Sequence, residues 1–342
     1  MWYETIIDRG LVPESVLRLF VRLGLKKYEA RVLELSQDEL CQVRESFKLT
    51  SSNSEIAINT EEANHQHYEM SSSVYEYFLG PSMKYSGSEW SNDYYDLKEA
   101  DLHTLRNYIN KCSISDGDSV LELGCGWGSL SLEIANLYKK TFVTAVTNSA
   151  TQKQYIEQKA SQQNISNLEV VKCDINQYIP RHKYDRIISI EMFEHIRNPK
   201  ALMNRIDSWL NSKGTLFIQV FSHKVYPQYF DDQKGSWMSK NFFTGGMMPY
   251  DGFYKTLNSN LENVEVWKLS GQNYHRSLES WLSNFKSNKK IILRDMDENS
   301  YGKEGAKYFN RYKLFLIFCS ELFNYKDGGE WYILHYLFKK RN

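Results

Sequence analysis

The sequence predicts an α/β protein with a doubly wound sheet of seven, mostly parallel strands and helices on both faces. Short apolar, β-branched runs alternate with stretches of helical period. The runs lie at 119–123, 142–146, 168–171, 186–190 and 215–221, and the helical stretches at 129–139, 151–163 and 200–210. Strands that alternate with helices form βαβ units, whose crossover connections make the strands parallel. Two later runs, at 264–269 and 331–338, bring the strands to seven.

The residues before this pattern predict a helical N-terminal extension, 1–57. Apolar residues recur at helical spacing after Pro13, and Ser36 with Glu39 three residues later forms a capping box. The extension is expected to form a packed cap or a dimer surface in preference to membrane contact. A homodimer is therefore left open. The remainder, 58–342, is predicted to be one catalytic domain.

A cap is predicted late in the sheet. The insertion at about 222–262 separates two strand candidates and is rich in aromatic residues, Gly and Met. Helices at 275–323 are expected to complete the cap before the last strand. Such segments often close over a bound substrate.

Composition narrows the class of protein. The chain has 342 residues, with 42 Lys and Arg against 42 Asp and Glu. This balance argues against nucleic acid as the partner, because phosphate binding needs clustered positive charge. The five cysteines are widely spaced and form no CxxC pair, which favours a reducing compartment. No signal peptide or apolar run of about 18 residues is visible, so a cytoplasmic protein is expected.

A glycine-rich turn follows the first predicted strand and opens a helix. Gly124, Gly126 and Gly128 stand at alternate positions, and Glu122 lies two residues before the first of them. Glycines let the backbone turn sharply and let a ligand approach bare amide groups. A tight turn without a ligand is the alternative for this segment.

Polar residues follow the next two strands. Thr147 and Asn148 end the second strand where many nucleotide-binding folds carry a ribose-binding acid, and Gln152 lies one helical turn further on. Asp174 and Ile175 follow the third strand and suit the edge and face of an adenine ring. A polar turn with a helix cap, or an N-cap by Asp174, would explain the same residues without a ligand.

The fourth strand ends in an acid–base cluster. Glu191, Glu194 and His195 lie at the carboxyl edge of the sheet, where ligands bind in such folds. A carboxylate can bind an ammonium group, and an imidazole can accept a proton near neutral pH. A solvated charged turn is the alternative. A metal site is not expected, because no second His/Asp cluster is close in sequence.

Together these motifs resemble S-adenosylmethionine (SAM)-dependent methyltransferases. The segment Glu122-x-Gly-x-Gly-x-Gly resembles their first motif. From about residue 58 onward the chain resembles the cyclopropane-fatty-acid-synthase superfamily, and within it the coclaurine N-methyltransferase branch. The matching segments are 62–69, 78–86, 120–128, 147–149, 189–195, 221–224, 241–249 and 324–331.

The resemblance implies a class I methyltransferase (Rossmann-like) fold, with SAM as cofactor, S-adenosylhomocysteine (SAH) as product and no metal. It implies a small-molecule amine as methyl acceptor, with Glu194 holding the amine, His195 as general base and Glu191 beside them. It also implies a set of residues at the cofactor. These are Tyr68, Tyr85, Ser86, Glu122, Gly124, Gly126, Thr147, Asn148, Gln152, Asp174 and Ile175. Tyr85 and Ser86 are expected to shield the methionine end.

One departure from the superfamily bears on the reaction. Members that cyclopropanate fatty acyl chains hold a bicarbonate with a Cys and a His, and these positions here are Gly87 and Gln219. The departure favours amine methylation. Lipid methylation or cyclopropanation of unsaturated acyl chains is the second hypothesis. A third hypothesis, a cofactor-binding module without catalysis, is disfavoured by the intact Glu194–His195 pair.

Overall fold

The sheet has the predicted strands in a single layer. The computed structural model describes residues 4–58, 70–91, 96–230, 237–257 and 259–341. The strands of the main sheet are β1 Ser119–Leu123, β2 Phe142–Thr147, β3 Leu168–Lys172, β4 Tyr184–Ile190, β5 Leu210–His223, β8 Leu261–Leu269 and β9 Trp331–Lys340. Two short strands, β6 Gln228–Tyr229 and β7 Met247–Met248, form a separate hairpin.

The order of the seven strands is β3-β2-β1-β4-β5-β9-β8. Strands β1 to β5 pair in parallel, whereas β9 runs antiparallel to both β5 and β8. The predicted fold class is confirmed. The order reverses direction at β1, and the loops beyond the carboxyl ends of β1 and β4 lie beside this switch point, where such folds bind ligands.

The helices are α1 Glu4–Asp8, α2 Glu14–Leu33, α3 Gln37–Ser52, α4 Ser72–Leu79, α5 Leu97–Lys111, α6 Ser129–Leu137, α7 Ala150–Gln162, α8 Pro199–Trp209, α9 Trp237–Phe242, α10 Gly271–Ser287, α11 Lys289–Asn299 and α12 Gly305–Asn324. Single 3-10 turns span Phe193–His195, Phe253–Thr256, Gly302–Glu304 and Tyr325–Gly328. The predicted capping box is present, since the Ser36 hydroxyl accepts from the Glu39 amide and the Glu39 carboxylate accepts from the Ser36 amide.

The alternation of side chains along the strands builds a core on each face of the sheet. In β1, Leu121 and Leu123 pack into one buried cluster, together with Ile187 of β4. Val120 packs on the opposite face, with Ile188 of β4. Successive residues of a strand point to opposite faces, so covering helices on both sides bury nearly the whole run.

The N-terminal extension packs against the cap. Arg18 of α2 donates to Glu279 of α10 at 2.9 Å and to Glu321 of α12 at 2.8 Å. Arg22 also donates to Glu321. The cap differs in detail from the prediction for 222–262. Strand β5 continues to His223, and the described part of that insertion holds only the β6–β7 hairpin, the six-residue helix α9 and a 3-10 turn. The helical part of the cap is α10–α12.

Candidate functional site

A cavity of about 1010 Å³ lies at the carboxyl edge of the parallel strands, enclosed by the extension and the cap. Most of the residues predicted from the sequence line it. These are Tyr85, Ser86, Glu122, Gly124, Gly126, Thr147, Asn148, Gln152, Asp174, Ile175, Glu191 and His195. Tyr68 lies outside the described residues. Glu194 is not among the described residues that line the cavity.

The glycine turn has the backbone that only glycine adopts easily. Gly124 and Gly126 have φ angles of +71° and +53°. A Cβ atom on Gly124 would lie 2.9 Å from the side chain of Met192, whereas a Cβ on Gly126 would meet no atom of the described residues within 4 Å. The open space beside Gly126 belongs to the cavity, so a ligand can lie directly against this backbone.

Gly126→Ala tests this assignment without disturbing a protein contact. We expect the variant to fold, with a loss of about 1 kcal/mol from the positive φ, and to bind SAH at least about tenfold more weakly because the methyl group enters the ligand space. Calorimetric titration with SAH measures the affinity. Gly252→Ala is the control, because Gly252 also has a positive φ and open space but lies outside the cavity. Unchanged SAH affinity in Gly126→Ala would contradict the assignment.

The polar residues after β1 and β2 leave hydrogen-bonding capacity for a ligand. Thr147 Oγ1 donates to Gln152 Oε1 at 2.5 Å, which orients the amide group. Gln152 Nε2 is buried and has no partner among the described residues. Glu122 accepts a hydrogen bond from Ser131, and burial raises the pKa of its carboxyl to about 7. An orphaned donor beside bare glycine backbone fits a polar cofactor at this end of the cavity.

The residues after β3 have a local role that does not exclude a ligand. Asp174 Oδ1 accepts from the Asn176 amide at 2.7 Å and so stabilises the turn after the strand. Asp174 and Ile175 nevertheless line the cavity. After β2, Ser149 caps α7 by accepting a hydrogen bond from the Gln152 amide. A helix cap was the alternative interpretation of the polar residues in this turn.

Glu191 is held in place by three donors. Its Oε1 accepts from Gln219 Nε2 at 2.7 Å and from the Gly87 amide at 3.3 Å, and its Oε2 accepts from the Tyr274 hydroxyl at 2.7 Å. Its φ is +52°, which is uncommon for a residue with a side chain. Strain of this kind persists where the surroundings over-determine it, which is common at functional sites. Burial raises the pKa of the carboxyl, and Lys84 and the hydrogen bonds oppose the rise.

The two positions that depart from the cyclopropanating enzymes meet at this carboxylate. Gly87 and Gln219 both donate directly to Glu191. A Cβ atom on Gly87 would lie 2.8 Å from the Tyr274 ring, so a cysteine does not fit here unless Tyr274 shifts.

His195 ends the 3-10 turn after β4 and lines the same cavity. Its ring stacks on Phe243 of the cap, with centroids 5.7 Å apart and planes inclined by 5°. Burial lowers the pKa of the imidazole to about 4. The ring is therefore neutral at pH 7 and can accept a proton.

The predicted contact of Glu194 with the substrate stays a prediction, since Glu194 is not among the described residues that line the cavity and its Oε2 is buried without a partner among the described residues. Its side chain is fully buried, and Oε1 accepts from the Phe221 amide at 2.6 Å. Burial and the charge of Glu191 raise the pKa of this carboxyl well above its usual range. The 3-10 turn directs Glu194 toward the end of β5, while Glu191 and His195 line the cavity.

Other parts of the wall could not be found from motifs. Apolar residues of α2 line the cavity, including Leu17, Val21 and Leu25. Aromatic rings of the cap line it as well, namely Phe230, Phe243, Phe315 and Phe318. The helical spacing after Pro13 predicted the helix that carries Leu17, but it did not indicate what this helix packs against.

A metal is not indicated by the side chains in view. Among the residues that the structure describes, no group of three or more His, Cys, Asp or Glu is arranged to hold an ion. Within the same residues, no helix has the length and apolar character needed to cross a membrane.

Known proteins share both the sequence and the fold. Residues 56–329 match the mycolic acid cyclopropane synthetase family. An (S)-coclaurine N-methyltransferase of Thalictrum flavum subsp. glaucum is 33% identical over 98% of this chain and 94% of its own length. The corresponding enzyme of Papaver somniferum is 31% identical over 98% of this chain and 97% of its own length.

Solved structures of related proteins have the same fold. A crystal structure of coclaurine N-methyltransferase bound to N-methylheliamine and SAH superposes with a TM-score of 0.94, at 30% identity and 98% coverage of both chains. A mycolic acid cyclopropane synthase complexed with SAH and CTAB has a TM-score of 0.70 at 20% identity, covering 84% of this chain and 100% of that chain, and supports the fold alone.

Proposed function

Because the chain belongs to the mycolic acid cyclopropane synthetase family, in its coclaurine N-methyltransferase-like branch, we propose that it methylates the amine nitrogen of a small molecule. As a member of this family, it is a SAM-dependent methyltransferase. The observation that carries the choice of an amine is that Glu191 and His195 line one largely apolar cavity with many aromatic rings in its wall. A carboxylate and a neutral imidazole in such a cavity suit a cationic, apolar amine.

The residues of the glycine-turn end fit the cofactor. Gly124 and Gly126 would lie against its methionine part, which Tyr85 and Ser86 would shield, and Thr147, Asn148 and Gln152 would face its ribose. Asp174 and Ile175 would meet its adenine. When bound, SAM supplies a methyl group on a positively charged sulfur. Tyrosine faces such as that of Tyr85 stabilise positive charge.

The two ionisable groups divide the work on the substrate. Glu191, fixed by its three donors, attracts the ammonium form of the amine and sets its position. A protonated amine has no lone pair, so it must lose a proton before it can attack a methyl group. We assign the base for this step to His195, because its imidazole lines the same cavity as Glu191. Orientation and exclusion of water by the cap contribute the rest.

Glu194 acts on the geometry of the site. Its hydrogen bond to the Phe221 amide ties the 3-10 turn that carries His195 to the end of β5. We therefore assign to Glu191 the contact with the amine that the family resemblance gave to Glu194.

Paired substitutions separate these two glutamates. We expect Glu191→Gln to raise KM for the amine at least about tenfold, because it removes the charge that binds the ammonium group. Glu194→Gln retains a hydrogen-bond acceptor for the Phe221 amide, so we expect KM to change by less than about threefold. Steady-state kinetics on one amine measure both. The assignment would be reversed if Glu194→Gln raised KM more than Glu191→Gln did.

The proposal as a whole is tested by offering labelled SAM with a panel of amines. The panel contains cyclic aromatic secondary amines, phenethylamines and short aliphatic amines, and mass spectrometry detects the added methyl group. Unsaturated phospholipid vesicles form the parallel arm. Turnover of an amine supports the proposal. Methylation or cyclopropanation of the lipid with no amine product would overturn it.

The cellular location and the oligomeric state of the protein are also proposals. The five cysteines are all free, which is consistent with a cytoplasmic protein. A homodimer through the extension stays a prediction, to be checked by light scattering of the purified chain.

A further inference from the structure

Lys84 is a buried lysine in the part of the cavity wall that also contains Tyr85, Ser86 and Glu191. Lys84 lies in the segment between α4 and α5, immediately before Tyr85 and Ser86, and only 1% of its surface is exposed. A lysine is almost never buried to this degree unless its charge is paired or its donors are satisfied.

The three hydrogen bonds that the described residues form with the ammonium group lie on its own segment. Lys84 Nζ donates to the Ser86 carbonyl oxygen and to Ser86 Oγ, each at 2.9 Å, and to the Gly87 carbonyl oxygen at 2.6 Å. The three N–H donors of one lysine therefore hold Ser86 and Gly87, which follow it closely in the chain. Tyr85 and Ser86, which line the cavity, lie between Lys84 and Gly87 in the chain.

Further hydrogen bonds connect this segment to Glu191, the carboxylate proposed to bind the amine. The Gly87 carbonyl oxygen accepts from Lys84, while the Gly87 amide donates to Glu191. Tyr108, whose ring centroid is 5.5 Å from Lys84 Nζ, donates its hydroxyl to Gln219 at 2.6 Å, and Gln219 donates to Glu191. Lys84 thus lies at the start of two chains of contacts that end at Glu191.

Charge links the same groups. The acidic groups that act on Lys84 are Asp101, Glu191 and Glu89. The groups whose ionisation is coupled to Glu191 are Lys84, Tyr274, Tyr108, Glu194 and Cys319. Among these described groups, Lys84 is the one that carries a positive charge. Its charge opposes the effect of burial on Glu191, and burial lowers the pKa of Lys84 itself to about 8.

We propose that Lys84 is a positioning residue, which holds the 84–87 segment against the cofactor and keeps Glu191 ionised for the amine. The inference rests on the proposed function only in its second half, since the grip on the cofactor-side segment is independent of the methyl acceptor. No described hydrogen bond places Lys84 on a reacting atom, so it acts through Ser86, Gly87 and Glu191.

Lys84→Met keeps an unbranched side chain, one atom shorter than that of lysine, and removes its charge. We expect SAH affinity, measured by calorimetric titration at pH 7, to fall at least about fivefold, because the 84–87 segment loses three donated hydrogen bonds. We also expect the acid limb of the kcat/KM profile for an amine to move to higher pH by about one unit, because the pKa of Glu191 rises when the neighbouring cation is removed. A loss of packing alone would not move this limb.

Lys111→Met is the matched control. Lys111 is also a largely buried lysine near Glu89, but it lies on α5 and contacts Glu89 and His335 instead of the 84–87 segment. We expect its SAH affinity and its acid limb to match those of the wild type. Lys84→Arg retains the charge and is expected to keep the acid limb in place, which separates charge from shape even if Lys84→Met is less stable.

The outcomes are distinct. Unchanged SAH affinity in a folded Lys84→Met or Lys84→Gln overturns the grip on the segment, and an unmoved acid limb overturns the effect on Glu191. If the wild type methylates no amine, the proposed function fails, whereas the SAH titrations still decide the positioning role. Should Lys84→Met fail to fold, Lys84→Gln and Lys84→Arg provide the same comparison between neutral and charged side chains.

Discussion

His195→Ala is expected to lower kcat by about 10²- to 10⁴-fold, the range that a positioned general base contributes. The imidazole lines the cavity, and its ring stacks on that of Phe243 with the centroids 5.7 Å apart. SAH affinity should change by less than about threefold, since the predicted cofactor contacts lie on other loops. Steady-state kinetics and calorimetric titration on the same preparations separate the two quantities.

The pH dependence makes this test sharper. Above the pKa of the amine substrate, the lone pair is already free and a base has less to do. The deficit of His195→Ala should therefore shrink as pH rises through that value. His182→Ala is the control, because His182 is exposed and is not among the described residues that line the cavity, and we expect wild-type kinetics. A kcat above half the wild-type value in His195→Ala at pH 7 would show that the proton leaves by another route.

Arg18→Met is expected to give the largest loss of stability from a charged side chain. Arg18 is 16% exposed and joins α2 to the cap through Glu279 and Glu321, with Glu14 of α2 as a third partner. Glu321 is 2% exposed, so it cannot be hydrated when its partner is removed. Breaking a buried pair in this way costs about 3–5 kcal/mol. We expect the lower end of that range, because Arg22 still contacts Glu321.

Urea unfolding measures the change, and Arg22→Met is the matched control. Arg22 binds the same Glu321 but is 58% exposed, so we expect a loss of about 1 kcal/mol or less. The wall that α2 forms should loosen in Arg18→Met, and KM for the amine should rise while SAH affinity stays the same. Equal losses of stability in the two variants would show that Arg18 does not anchor the extension.

Much of the cofactor end follows from the order of residues along the chain. A strand, a glycine turn and a helix are local structures, and their side-chain periods and φ preferences are visible in the sequence. Strand β1 begins and ends where it was predicted, and the residues after β1, β2 and β3 line one cavity. Parallel strands bring their carboxyl ends to one edge, so residues separated by fifty positions meet without further information.

The acceptor end required the folded chain. Spacing alone made Glu191, Glu194 and His195 equivalent members of a cluster, because a helical turn places positions i, i+3 and i+4 on one face. The observed positive φ at Glu191 and the 3-10 turn break that symmetry and bury Glu194 at the end of β5. Backbone strain of this kind is set by the surrounding contacts, here the donors from Gly87, Gln219 and Tyr274.

By itself, the sequence determined the fold class, the family and most of the polar residues that line the cavity after β1, β2 and β3, because these depend on local periodicity and on motifs within short segments. Only the tertiary structure decided that the N-terminal extension forms a wall of the cavity, that Glu191 lines it and Glu194 is buried at the end of β5, and that Lys84 is buried against Ser86 and Gly87. These features depend on contacts between residues far apart in sequence. Such contacts are selected by packing and by satisfaction of buried polar groups, which leave no periodic signal along the chain.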